Sequence, residues 1–274
     1  MFSKSQVLQH FDGMAINGDW SNLYDQDRED MTNYSFHIRR ERVVELLHPI
    51  LKQGMQVLDV GCGTGVMAPF VLSREAHYQG VDLSANMIAE ARKQRFDTGT
   101  VAGSAAFTVA DVEQMPLPDA HYDVLMALGL LEYFANPQRV VDEISRVVKP
   151  GGSIIISVPN VLCVDALTST LISPILTTPM RFIRRIRGQA AQEKKYWNRK
   201  YYPGNLDKLF LSRGFRKSGE TYYNLEAAFY PLHRLLPTLA LHIKKHIEPF
   251  QHGPLRAFAT AYVARFCKDR CAVA

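Results

Sequence analysis

The sequence predicts an α/β fold, a mostly parallel sheet with helices on both faces, and three observations predict it. From Gln56 onward, short apolar runs alternate with helical patterns, as they do in a parallel sheet covered on both sides. The first run, Val57-Leu58-Asp59-Val60, passes into a glycine-punctuated turn, Gly61-Cys62-Gly63-Thr64-Gly65. Three runs end in an acid, Asp59, Asp82 and Asp111, and open α/β sheets bind ligands beyond the carboxyl ends of their strands.

Residues 1–54 read as a helical cap and 55–274 as one domain carrying an insertion at about 161–205. In the cap, Asp25 to Asp30 is a charged connector. Ser35 to Leu51 places Ile38, Val43, Val44, Leu46, Leu47 and Ile50 at helical spacing, with Gly54 as the stop. The domain then predicts a strand over Gln56–Val60, a helix over Val66–Ala76 and a strand over Tyr78–Asp82. A helix follows, capped by Ser84 and running to Gln94. Strands are expected at Ala106–Ala110 and Tyr122–Leu128. A helix from Asn136-Pro137 to Val148 has Pro137 at its first position. Lys149-Pro150-Gly151-Gly152 reads as a turn before a strand at Ser153–Val158. After the insertion come a helix at Asn205–Arg213, extended segments at Gly214-Phe215 and Ser218–Tyr223, an apolar segment from Ala227 to Phe250 and a last strand at Phe258–Phe266.

A chain of 274 residues is long enough for one large core. The net charge of +5 does not make the whole chain a polyanion binder. Cys62, Cys163, Cys267 and Cys271 form no CxxC pair, so neither a disulfide framework nor a zinc site is expected, and a cytoplasmic setting is the simpler one. Met1 to His10 lacks the apolar core of a signal peptide. No uninterrupted apolar run reaches the length of a membrane span.

The glycine turn after a strand implies a nucleotide-type pocket, and Asp59 says which kind. Its carboxylate would repel a pyrophosphate, whereas it suits a sulfonium cofactor that carries an ammonium. The dinucleotide fingerprint also wants Gly or Ala where this chain has Val66. The ordered set of Val57 to Gly65, Gly80-Val81-Asp82-Leu83-Ser84, Ala110-Asp111-Val112, Leu131-Glu132-Tyr133-Phe134, Val148 to Gly152 and Val158-Pro159-Asn160 resembles the class I S-adenosylmethionine (SAM)-dependent methyltransferases. Within them it looks like the ubiquinone-type and small-molecule O-methyltransferase branch. The resemblance is firm over about Gln56 to Asn160 and implies a Rossmann-like, seven-stranded sheet with its last strand antiparallel.

The resemblance also implies roles. The backbone of Gly61, Cys62, Gly63 and Gly65 would approach the cofactor, Asp59 would sit near its ammonium, and Asp82 would accept from both ribose hydroxyls. Asp111 would accept from the adenine amino group while the Val112 N–H donates to the ring. Leu83 and Met87 are further cofactor-binding candidates, and Leu128 would line the methionine side. Arg39 or Arg40 would pair with the cofactor carboxylate, a bidentate task that suits arginine. The ubiquinone-type relatives carry Glu-x-x-Glu-His after the fourth strand, thought to hold magnesium. Here Gly129-Leu130-Leu131-Glu132-Tyr133 lacks one carboxylate and the His. A hard divalent ion wants several oxygens, so no metal is expected, and a catechol-like quinone precursor is placed in doubt as substrate.

Candidate catalytic residues are Glu132, Tyr133 and His37, with His10 a further candidate base. His242 and His246, at i and i+4, read as helix surface because no third ligand accompanies them. By count, Met180–Lys217 holds twelve Lys or Arg against Glu193 and Asp207. The expected reaction is methyl transfer to a small, apolar or ring-bearing acceptor, at oxygen. Segments 161–200 and 231–250 are candidates for contact with an anionic membrane surface. Two alternatives stand beside this: a nucleic-acid methyltransferase that uses 181–217, and a non-catalytic SAM-binding partner subunit.

Overall fold

The computed structural model describes residues 3–25, 30–94, 103–163, 199–225 and 236–270. Its strands are β1 (Gln56–Val60), β2 (His77–Asp82), β3 (Ala105–Val109), β4 (Tyr122–Leu128), β5 (Val148–Pro159), β6 (Phe215–Tyr223) and β7 (Ala261–Lys268). They form one sheet in the order β3-β2-β1-β4-β5-β7-β6. Neighbours from β3 to β5 run parallel, and β7 is antiparallel to both β5 and β6, as the family resemblance implies.

The helices among the described residues are α1 (Lys4–Ile16), α2 (Asp19–Asn22), α3 (Met31–Leu47), α4 (Ala68–Leu72), α5 (Ala85–Lys93), α6 (Gln138–Val147), α7 (Pro203–Leu211) and α8 (Pro237–Ile247). Strand side chains alternate in direction, so β1 feeds two cores. Leu58 and Val60 join Val140 and Ile144 of α6 and Leu206 and Phe210 of α7 on one face. Val57 joins Val43 and Leu47 of α3, Val71 of α4 and Ile88 of α5 on the other. The sheet is thus covered on both sides, and its central strands are almost wholly apolar for that reason.

Several expected boundaries move; the last strand is Ala261–Lys268 rather than Phe258–Phe266 and Pro137 caps its helix rather than opening it, and three further shifts have a local reason. The helix after the glycine turn is only Ala68–Leu72. Pro69 is tolerated only in a first turn, Ser73 Oγ bonds the Phe70 carbonyl, and Glu75 adopts a left-handed φ of 56°. The cap helix starts earlier than expected, at Met31, because Asp30 accepts from the Thr32 and Asn33 amides, and it stops at Leu47 rather than Leu51. The Lys149–Gly152 turn lies inside β5. The pairing of β4 with β5 jumps from Tyr122↔Val148 to Val124↔Ser153, and the extra residues form a bulge at Pro150, which has no N–H to give. Ser84 caps α5 as expected, accepting from the Met87 amide at 3.0 Å.

Most of the insertion, including the greater part of 161–200, lies outside the described residues. Within 231–250, Leu236, Leu239 and Phe250 are exposed. Among the described residues no helix is long and apolar enough to cross a membrane.

Candidate functional site

Strand order reverses at β1, which pairs with β2 on one side and β4 on the other. The crevice beyond such a reversal is where open α/β sheets bind ligands. A cavity of about 460 Å³ opens there, a size ordinary for a small-molecule site. It is lined by Gly61 and Gly63 after β1, Asp82 to Ser84 after β2, Asp111 to Glu113 after β3 and Leu128 to Leu130 after β4. Met87 of α5 also lines it.

The glycine turn is closed by its own hydrogen bonds. The Gly61 and Cys62 amides donate to the Val81 carbonyl at 2.8 and 3.1 Å, and the Gly65 amide donates to the Cys62 carbonyl at 2.9 Å. The Gly63 amide donates to Asp82 Oδ2 at 2.9 Å. An anion cradle needs free amides at such a turn. Here four are engaged, and the following helix is a single short turn. The turn therefore offers a ligand close backbone approach rather than phosphate donors. Gly61 makes that approach possible at a φ of +71°, where an added Cβ would lie 2.9 Å from Leu130 Cδ1. Cys62 and Gly65 stand back from the cavity. The Cys62 sulfur lies under Gly80, and Gly65 packs on the Phe107 ring.

Asp82 is tied at both oxygens by backbone amides, Gly63 on one and Ser84, at 2.9 Å, on the other. Burial pushes its carboxyl above the ordinary value, and the amides of Ser84 and Gly63 oppose that shift. Asp111 is more open. Partial burial works against its charge, but hydrogen bonds from Lys4 and from the Glu113 amide outweigh this and hold it below the usual range. The Lys4 ammonium of α1 bridges Asp111 and Glu113. Two acids thus point into one cavity with fixed carboxylates, which suits ligand hydroxyls and amines.

Asp59 lies one layer deeper. It is 3% exposed and accepts from the Tyr78 hydroxyl at 2.7 Å. Burial raises its carboxyl to about 7, against the Tyr78 hydrogen bond. A second buried acid sits behind Gly129. Glu132 is raised to about 7 by burial, against the nearby Arg39 guanidinium, and its Oε2 is buried without a partner. Arg39 donates to the Tyr24 hydroxyl, and its Nη1 lies 2.9 Å from where a Gly129 Cβ would be. Neither Arg39 nor Arg40 is among the residues that line the cavity, and Arg40 Nε is buried without a partner.

These two acids make stability depend on pH. A carboxyl whose folded value exceeds its unfolded value keeps its proton better when folded. Stability therefore falls as pH rises from about 4.5 through about 7, by up to about 1.4 kcal/mol per pH unit per group. Thermal unfolding followed from pH 5 to pH 8 should show a declining midpoint, and Glu132→Gln should flatten part of that decline. An unchanged slope in the variant would remove Glu132 from the effect.

The cap covers the cavity. Asp12 of α1 accepts from the Ser84 hydroxyl, and Phe11 sets its ring edge-on to Tyr133, 5.2 Å away. Phe11, Trp20 and Tyr133 all line the space. Glu132 and His37 do not. His37 instead sits 3.3 Å from the Asp25 carbonyl and beside the Tyr24 ring. Lys4, Phe11, Asp12, Trp20 and Glu113 carry no motif that marks them in the sequence. Three described cations of the basic stretch are ion-paired within the fold: Arg213 with Asp142, Arg216 with Asp269, and Lys217 with Asp207 and Glu220. His246 bonds the His242 carbonyl at 2.8 Å along the surface of α8.

Residues 58–156 match the family described as a methyltransferase domain. Over 108 residues, 39% of this chain, the sequence is 35% identical to the ubiquinone biosynthesis O-methyltransferase of Dechloromonas aromatica (strain RCB), of which the match covers 45%. The chain therefore spans less than half the length of the curated relatives it matches. Among solved structures, the magnesium protoporphyrin IX methyltransferase of Synechocystis PCC 6803, with S-adenosylhomocysteine (SAH) bound, superposes with a TM-score of 0.64 at 13% identity. That superposition covers 97% of this chain and 100% of the other. A putative methyltransferase solved in complex with the Haloferax volcanii Trm112 activator superposes at 0.62 with 17% identity, covering 94% and 97% of the two chains.

Proposed function

We propose that this chain, a class I SAM-dependent methyltransferase in its domain and its fold, transfers a methyl group to the oxygen of a small, apolar or ring-bearing acceptor. One observation carries the reading: Asp82 presents a carboxylate, anchored by two backbone amides, at the lip of a cavity whose glycine turn has its amides engaged. That arrangement suits a ribose diol and not a pyrophosphate.

In this reading Asp82 accepts from the ribose hydroxyls, and Asp111 and the Val112 amide take the adenine edge. Leu83 and Met87 flank the base. Gly61 and Gly63 let the methionine chain pass close to the backbone, with the buried Asp59 carboxyl below them. Arg39 stands nearest the carboxylate. When bound, SAM supplies an electrophilic methyl group on a sulfonium, so holding an acceptor in line can suffice without strong base catalysis. Leu128, Leu130, Tyr133, Phe134 and Phe11 make one part of the wall apolar and aromatic, with Asn136 and Arg139 beside it, which supports a ring-bearing acceptor that carries a polar group. Of the three candidate catalytic residues only Tyr133 lines the cavity, and we assign it the acceptor contact. No metal is needed, since Glu132 is turned inward beside Arg39. The ion pairs of Arg213, Arg216 and Lys217 within the fold support a small acceptor over a nucleic acid.

The test is SAH release by the full chain with SAM and a panel of neutral phenols, the matching anilines, and RNA. Release with a phenol, with the added mass on oxygen, is expected. Release with RNA alone, or a product methylated at nitrogen, would contradict the acceptor assignment.

A further inference from the structure

The charged side chains that line the cavity are Lys4, Asp82, Asp111, Glu113 and Arg139. The first four are engaged with the protein itself. Two backbone amides hold Asp82, and the Lys4 ammonium bridges Asp111 and Glu113. Arg139 is exposed and, among the described residues, has neither a hydrogen bond nor an ion pair. Its own helix explains why. An arginine on a helix pairs with acids three or four positions away, and α6 has two, Asp142 and Glu143. Asp142 is taken by Arg213 at 2.7 Å and Glu143 by Arg146 at 2.7 Å, and Glu143 also accepts from the Met115 amide at 2.9 Å. Arg139 therefore keeps its fork of N–H donors for a ligand. Asn136 lines the cavity beside it. Its Oδ1 accepts from the Gln138 amide at 3.1 Å, which leaves its side-chain NH₂ to donate. Both residues stand at the start of α6, the positive end of the helix.

We propose that the acceptor carries a carboxylate across its ring from the methylated oxygen, and that Arg139 and the Asn136 amide receive it. The inference rests on the methyltransferase reading of this cavity and names its acceptor class, a hydroxylated aromatic acid. Asp82 and Asp111 follow β2 and β3 on one side of β1, whereas Tyr133, Asn136 and Arg139 follow β4 on the other. The acids of the first group suit the cofactor's hydroxyls and amine, so the unpaired cation of the second is left for the acceptor. A guanidinium offers two parallel N–H groups, which match the two oxygens of a carboxylate. Tyr133 and Phe134 precede Asn136 in the same wall and supply the ring contact. The transfer keeps its balance: the phenol oxygen takes the methyl group, the C–S bonding pair stays on sulfur as SAH forms, and the phenol proton leaves to water.

The experiment compares 4-hydroxyphenylacetate and 4-hydroxycinnamate with their neutral carboxamides as acceptors for the full chain. Hydrogen bonds to a charged group are strong, though solvent at an exposed site weakens them. The parent should prefer each acid to its amide by about fivefold or more in kcat/KM, with the difference in KM. In Arg139→Gln that ratio should fall to about one, and Arg139→Lys, which keeps the charge and loses the fork, should retain part of it. No preference for the acids in the parent, or the same ratio in Arg139→Gln, overturns the proposal. So does a loss of SAH affinity in Arg139→Gln beyond about threefold, which would place Arg139 on the cofactor. Calorimetric titration of acid and amide into the SAH-bound chain reads the same preference without turnover. Absence of turnover with every phenol would sink the O-methylation reading, while a binding preference for the acids that Arg139→Gln abolishes would still uphold the carboxylate site.

Discussion

Asp82→Ala is expected to weaken SAH binding at least a hundredfold while the chain still folds. Two hydrogen bonds to a charged carboxylate are worth about 1.5–3 kcal/mol each, so losing both corresponds to roughly 10² to 10⁴ in affinity. The same substitution releases the Gly63 and Ser84 amides from their acceptor, which loosens the glycine turn and adds to the loss. Asp82→Asn keeps the shape and one acceptor oxygen, so it should fall between parent and Ala. Calorimetry reads the affinities, and the thermal midpoint without ligand separates a binding defect from a folding one. An affinity for SAH in Asp82→Ala within about threefold of the parent would remove Asp82 from the ribose position.

The second large effect is on folding. Gly65→Ala places a Cβ 2.6 Å from the Phe107 ring and forces alanine to a φ of +79°. The left-handed backbone costs about 1–2 kcal/mol, and relieving the overlap costs about 1–3 kcal/mol more. The midpoint should drop by roughly 5–15 °C. Phe107→Leu in the Gly65→Ala background should recover part of the loss, because the two positions share one contact. No recovery would show that backbone conformation alone sets the penalty.

The parts of this site that local chemistry writes were legible in the sequence. Asp59, Asp82 and Asp111 mark the ends of their strands, the glycine turn follows β1, and Ser84 caps α5, each a signal carried by a few adjacent residues. The seven-stranded sheet with its last strand antiparallel follows from the family resemblance, and the sheet has that form. What could not be read was long-range. Lys4 meets Asp111 across 107 residues, Asp12 meets Ser84 across 72, and Trp20 meets Gly63 across a gap between helix and turn. No spacing rule couples such positions. The depth of Asp59 was also hidden, because period-two alternation says which face a side chain takes and not whether a tyrosine on the next strand will reach its carboxylate. Pro69 was visible, and it shortens the helix after the turn by a rule that the longer apolar pattern obscured.

A crystal structure of the full chain with SAH measures the central claim most directly. The account predicts adenine beside Asp111 and Val112, both ribose hydroxyls on Asp82, the sulfur above Gly61 facing Leu128 and Tyr133, and the methionine end toward Gly129. A ligand bound outside this cavity, or lying in it with the adenine at the Gly129 end, would contradict it.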